Sequence, residues 1–296
     1  MADFKRLLST FEAAYEDFYP RHLTAEGTER QRQAGGGAKG ELAGWEAKLL
    51  FILVYQKTHP LQTMQALHFG LSQPQANYWI HRLLPVVQRA LQMLGMRPER
   101  DASQVATSPL ALEGEVLAMA LDGTERRRQR PQDPAQQRDH YSGKKKAHTD
   151  KNLLLVNETT GKVIYLSPTV AGKPHEKKAA DEAVIVYPVN ATLDKDTGFQ
   201  GYEPVGVHPG NLKKPNNKEL SVAERVLNRR ISGVRLVVEH IIAGVKRCRI
   251  VKEVFRLTTP GASDLVMEIA GGLHNLRVDC RHPVPVFNVQ SLLNPA

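Results

Sequence analysis

The sequence predicts a mixed α/β sheet with flanking helices, preceded by an all-helical region. Three observations predict it. The amino-terminal third repeats apolar residues at helical spacing. Strand-like runs then appear at Val116–Leu121, Leu153–Val156 and Val163–Leu166. A helical stretch over Glu176–Val186, a further strand over Val189–Leu193 and carboxy-terminal helices follow, and that alternation belongs to an α/β sheet.

The chain has 296 residues, enough for two domains and a sizeable core. Its formal net charge of +9 suits a polyanionic partner. Cys248 and Cys280 are the two cysteines, too few for a disulfide framework or a structural zinc site. They read as reduced thiols of a cytoplasmic protein. Met1-Ala2-Asp3-Phe4-Lys5 lacks the basic start and apolar run of a signal peptide, and no apolar run approaches a membrane span. No membrane partner is expected.

Phe4, Leu7, Leu8, Phe11, Tyr15 and Phe18 fall on one side of an amphipathic helix within residues 1–26, ended by Pro20. Its stripe packs on the next domain or forms a dimer contact. Residues 27–44 are a basic glycine-rich linker, with Arg30, Arg32 and Lys39 also able to lie along a DNA groove. Residues 45–105 read as helices. Leu61–His68, the turn Phe69-Gly70-Leu71-Ser72 and a helix opened by a Ser72/Gln75 capping box form a helix-turn-helix pattern. Ala76, Ile80, Leu83 and Leu84 would face inward. Gln73, Gln75, Asn77 and Tyr78 would face outward, able to read base edges, while His81 and Arg82 could reach phosphates. A purely structural bundle gives similar strings, and the basic charge favours the DNA-binding reading.

Residues 106–296 form the α/β domain. Its longest helical pattern runs from Glu219 to Arg256, as one helix or two joined at Ser232-Gly233. Glu239 sits in the most apolar section, with Arg235 four residues before and Lys246 seven after. These offsets return to one face of a helix. A lone pair of this kind is ordinarily a solvated ion pair. Further acids at strand ends favour another role. Asp122 closes the first strand and Asp196 the fourth, with Asp194 as an alternative. Each alone is an ordinary turn or cap residue. Strand ends gather at one edge of an α/β sheet, and three carboxylates there could hold two divalent ions. Carboxylate oxygens suit Mg²⁺ or Mn²⁺ rather than zinc. A basic segment lies between the first two acids, with Arg126, Arg127, Arg128, Arg130, Arg138, Lys144, Lys145, Lys146 and Lys151. It reads as a loop for phosphate contact more than as a solvated run.

LDGTERRRQRP, YSGKKKAHT, DTGFQGYEP and RLVVEHIIAGVKR, with FGLSQPQANYWIHRLLP upstream, resemble bacterial insertion-sequence transposases of the DDE superfamily, in the group named after insertion sequence five. The resemblance covers most of the chain. It implies a ribonuclease-H-like catalytic domain and Asp122, Asp196 and Glu239 as a metal-binding acid triad for two Mg²⁺ ions, with Mn²⁺ as a substitute. It also implies Arg235 and Lys246 as parts of the signature Tyr-x2-Arg-x3-Glu-x6-Lys, in which Ser232 stands at the tyrosine position. The expected activity is cleavage and strand transfer at transposon ends. The expected partners are double-stranded DNA, at both end and target, and further copies of the chain in a paired-end dimer or larger assembly, at the nucleoid. The alternatives are a DNA-binding regulator that no longer cuts and another nuclease on the same scaffold.

Overall fold

A computed structural model describes residues 2–24, 27–31, 40–114, 117–195, 197–209 and 236–281. Helix α1 spans Ala2–Phe18, α2 Trp45–Thr58, α3 Gln62–His68 and α4 Gln73–Met93. A short helix α5 (Pro109–Leu112) leads into strand β1 (Ala118–Arg127). Helix α6 (Pro134–His140) and strand β2 (Tyr141–Ser142) precede the long β3 (Ala147–Asn157). Then come β4 (Val163–Leu166), β5 (Val170–Ala171), α7 (Glu176–Ala183), β6 (Thr192–Lys195) and β7 (His208–Pro209). Helix α8 is described over 236–245, and α9 spans Ala262–Arg281.

Strand order runs β3-β1-β6-β7, with β2, β4 and β5 pairing along the other edge of β3. The β1–β3, β3–β4 and β3–β5 pairs are antiparallel, whereas β6 is parallel to β1 and β7 to β6. This is the ribonuclease-H-like mixed sheet with flanking helices. From Thr149 to Asn157 strand β3 is buried at every position, as expected of a central strand covered on both faces.

Each face of the sheet has its own core. On one, Met119, Leu121, Leu153, Leu155 and Ile164 pack with Ala180 of α7 and Phe199. On the other, Ala120, Leu154, Val156 and Val163 join Val266 and Ile269 of α9, Val238 and Ile241 of α8, and the interior of the helical region. Period-two alternation along β1 sends Ala120 to the second core and Leu121 to the first. The helical region therefore shares a core with the sheet. The stripe of α1 packs inward through Leu7, Phe11 and Ala14, while Phe18 is exposed.

The helix-turn-helix forms as the sequence predicts. Ser72 caps α4, with its hydroxyl and Gln75 closing the capping box. Ala76, Ile80, Leu83 and Leu84 are buried. No described helix is long and apolar enough to cross a membrane.

Several boundaries differ from the expected ones. Strand β1 continues past Asp122 to Arg127, because β3 supplies ladder partners that far. The fourth strand is Thr192–Lys195 rather than Val189–Leu193, set by parallel pairing with Ala118–Leu121. Helix α7 stops at Ala183, where Val184 turns left-handed at φ 47. Helix α8 ends at 245 and a 3-10 turn, Arg249–Val251, follows, so no continuous helix reaches Arg256. The Ser232-Gly233 joint lies outside the described residues.

A single side chain clamps the sheet to α9. Asn275 is fully buried; its amide donates to the carbonyls of Met96 and Val163, and its oxygen accepts from the Val163 amide at 2.7 Å. Asn275→Leu leaves these backbone groups buried without that partner, at a cost of about 1–3 kcal/mol for each group. Urea unfolding of Asn275→Leu should show a total loss of about 3 kcal/mol or more. A loss below about 1 kcal/mol would contradict the clamp.

Candidate active site

A cleft of about 300 Å³ opens where β1 outruns β6, lined by residues of β1, α7, α8 and the β2–β3 turn. Its acids are Asp122, Glu125, Glu176 and Glu239, and its cations are Lys144, Lys145 and Lys246. Two of the three expected acids thus meet across the wall between strand and helix. Asp122 lies within β1 rather than at its end. Among the described residues the parallel pairing runs as far as Leu121↔Lys195, one residue before Asp122. Its Oδ1 accepts the Gly123 amide at 2.7 Å. Asp196 and Arg235 lie outside the described residues. Asp194 lies inside β6, opposite Ala120.

Helix α8 buries Val238, Ile241 and Val245, which turns Glu239 and Ile242 toward the cleft. Lys246 follows at the helix end, and its ammonium donates to the Glu125 carbonyl at 3.4 Å. Burial lowers the pKa of Lys246, helped by Lys145 and Arg126 and opposed by Asp122 and Glu125. On the opposite wall, the Lys145 amide donates to Ser142 Oγ and Lys146 turns left-handed at φ 48. This tight turn exposes Lys144, Lys145 and Lys146, and the first two line the cleft.

Three cations of the expected basic loop are built differently. Arg126 is buried and donates to Asn152, Thr169 and the Ser263 carbonyl. Arg128 pairs with Asp150 at 3.0 Å, and Lys151 pairs with Glu125 at 3.5 Å. These cations hold β1 and β3 together rather than facing solvent, because their strands continue into the sheet.

Glu176 was not anticipated from the sequence. It opens α7, and its carboxyl lies against Gly123 and Gly198; a Cβ on Gly123 would come within 2.9 Å of Glu176 Cγ. The available signal was glycine directly after Asp122 and two residues after Asp196. Neither backbone leaves space for a side chain once Glu176 is seated.

In the helix-turn-helix, Gln73 and Asn77 both bond to Gln62 of α3, at 2.6 Å and 2.9 Å. Gln75 Oε1 accepts from Ser72 in the cap. Arg82 lies 3.4 Å from the Tyr19 ring centroid and donates to Tyr15 Oη, which ties α4 to α1. These residues are far from the acid cleft in sequence and share none of its lining.

The donor set can be tested against the divalent ions expected here. The acids lining the cleft offer hard carboxylate oxygens, and its described lining holds no histidine or cysteine. That chemistry fits Mg²⁺ or Mn²⁺. Among the described residues no three acid, histidine or cysteine side chains converge closely enough to hold an ion.

Residues 121–275 match a family model described as DDE superfamily endonuclease. The chain is also similar to a probable transposase for insertion sequence element IS702 from Microchaete diplosiphon, with 26% identity over 148 residues. That alignment covers 50% of this chain and 52% of the relative, so the chain spans about half the length of the curated relative it matches. No solved structure matches at a significant level.

Burial disfavours the charged form of Lys246 in the fold. A lysine whose folded pKa is depressed destabilises the folded state wherever it remains protonated. Lys246→Met should therefore raise the urea midpoint at pH 7. The gain should shrink as pH rises from the lowered folded pKa to the ordinary lysine value. A lower midpoint at neutral pH would show that Lys246 is a net structural contact.

Proposed function

Because the chain belongs to the DDE superfamily endonuclease family, we propose that it is a DNA transposase with Asp122, Asp196 and Glu239 as its catalytic acids. The observation that carries this reading is the meeting of Asp122, Glu239 and Lys246 in one cleft. These residues come from a strand and a helix far apart in sequence. A structural ion pair needs no such cleft.

In this reading the three acids hold two Mg²⁺ ions, for which Mn²⁺ can substitute. When bound, the ions supply positive charge at the attacking and departing oxygens of an in-line phosphodiester substitution. Asp122 and Glu239 supply negative oxygens from opposite walls, and Asp196 supplies the third from the segment after β6. Lys246, half-enclosed and close to Asp122, holds a phosphate oxygen beside the scissile bond. Burial, which lowers its pKa, has already removed part of its water, so less hydration is lost on that close contact. Lys144 and Lys145 hold the flanking backbone from the turn, with Lys146 beside them. Arg235, four residues before Glu239 in the sequence, adds a further phosphate contact.

Most of the catalytic work is positioning and charge neutralisation. Asp122 and Glu239 are on a strand and a helix that share a core, which supports a fixed separation before DNA arrives. The first step is hydrolysis at the transposon end, which leaves a 3′ hydroxyl. That hydroxyl then attacks a target phosphodiester and displaces its 3′ oxygen. Helix α4 reads the terminal repeat through Gln73 and Asn77, with Gln75 and Arg82 supporting the reading surface. The organisation is a helix-turn-helix unit over 45–105 and a catalytic unit over 106–296. Two ends brought together require at least two copies of the chain.

Cleavage of a labelled duplex carrying the element's terminus tests the proposal. EDTA should abolish cleavage, and added Mg²⁺ or Mn²⁺ should restore it. Asp122→Asn, Asp196→Asn and Glu239→Gln should each lower the rate by about 10²–10³ or more while duplex binding persists. An ordinary rate in any one variant would remove that acid from the triad.

A further inference from the structure

A second groove, of about 570 Å³, lies at the far end of β1 and is lined by Arg127, Gln129, Lys252, Glu253, Val254 and Arg256. We infer that this groove holds the phosphate backbone of duplex DNA between the helix-turn-helix and the acid cleft. The inference rests on the transposase reading and adds a binding surface that neither the acid triad nor the helix-turn-helix includes.

The charge of the groove is one-sided. Arg127 and Lys252 are exposed, and neither has an ion-pair partner within 4.0 Å among the described residues. Glu253, the single acid of the lining, is occupied by Arg249 one helical turn earlier. Gln129 adds a neutral donor. Arginine, lysine and an amide along an open channel suit a chain of evenly spaced phosphates. Val254 is exposed and gives the channel no closed apolar pocket for a small ligand.

The groove is also fixed to both functional parts. Its floor is the last residue of β1, where the Phe255 amide donates to the Arg127 carbonyl at 3.0 Å. Its wall, Arg256, donates to the carbonyls of His59 and Pro60, the connector between α2 and α3. One end of the groove thus abuts the helix-turn-helix. The other lies on the strand that carries Asp122. Five residue steps of strand, roughly 17 Å, separate Arg127 from Asp122. That distance equals about five base-pair steps of duplex rise. DNA read by α4 could therefore pass over the groove before entering the cleft.

The test is anisotropy of labelled linear duplex DNA through a salt titration, with wild-type chain and Arg127→Ala/Lys252→Ala. Each lost phosphate contact reduces the slope of log affinity against log salt by about 0.9. The double variant should bind about tenfold more weakly at low salt, with a slope shallower by about 2. Arg127→Lys/Lys252→Arg, which keeps both charges, should restore the wild-type slope; both sites are exposed, and unchanged urea midpoints would verify folding. An unchanged affinity and slope in the alanine variant, with normal wild-type binding, would overturn the groove alone. No duplex binding by the wild-type chain would overturn the transposase reading and the groove with it.

Discussion

Strand β1 has two partners of unequal length, and the cleft depends on that mismatch. On one side the described pairing with β6 runs from Ala118 through Leu121. On the other, β3 continues to pair as far as Arg127. The strand is therefore held rigidly through Asp122, and from that residue onward it lines the cleft. Asp122 can face a cleft without being on a mobile loop. Backbone hydrogen bonds that fix the strand also fix the carboxylate, which a site built on a loop would need other contacts to achieve.

The outer half of β1 is held by buried polar groups rather than by apolar packing. Arg126 is the centre. Burial pushes its pKa down to about 10, so it remains charged at neutral pH. Asn152, Thr169 and the Ser263 carbonyl accept its hydrogen bonds, and Asp264 accepts from Thr169 in turn. Asp150 accepts from Ser263 and from Arg128. This network joins β1, β3 and the start of α9. A buried charge left without partners costs several kcal/mol, so the network tolerates little displacement of one element against another. Its consequence for the site is register: the acid strand cannot shift without breaking it.

Much of this was legible in the sequence, because several signals are local. The Ser72/Gln75 capping box and the apolar spacing of Ala76, Ile80 and Leu83 each depend on neighbours in the chain. Asp122 was legible from its place after an apolar strand run and Glu239 from its spacing to Arg235 and Lys246, and both line one cleft. What was not legible depends on partners far away. Asp122 looked like a strand end because its strand turns polar there, and only the long β3 extends it. Arg126, Arg128 and Lys151 looked like loop cations for phosphate contact, since their partners Asn152, Asp150 and Glu125 are matched only by strand register. Arg82 looked like a phosphate contact, and the aromatic side chains that hold it come from α1. Glu176 left its trace only as two glycines beside aspartates. Asp196 and Arg235 fall outside the described residues, so their expected places stand on the family pattern.

The central claim is that Asp122 and Glu239 face one another across a cation-binding cleft. Calorimetric titration of the DNA-free chain with Mn²⁺ tests it without relying on cleavage. The account predicts saturable binding by the wild-type chain and a marked loss of affinity in Asp122→Asn and in Glu239→Gln alike. Equal binding by wild type and both variants would place the ion elsewhere and contradict the account.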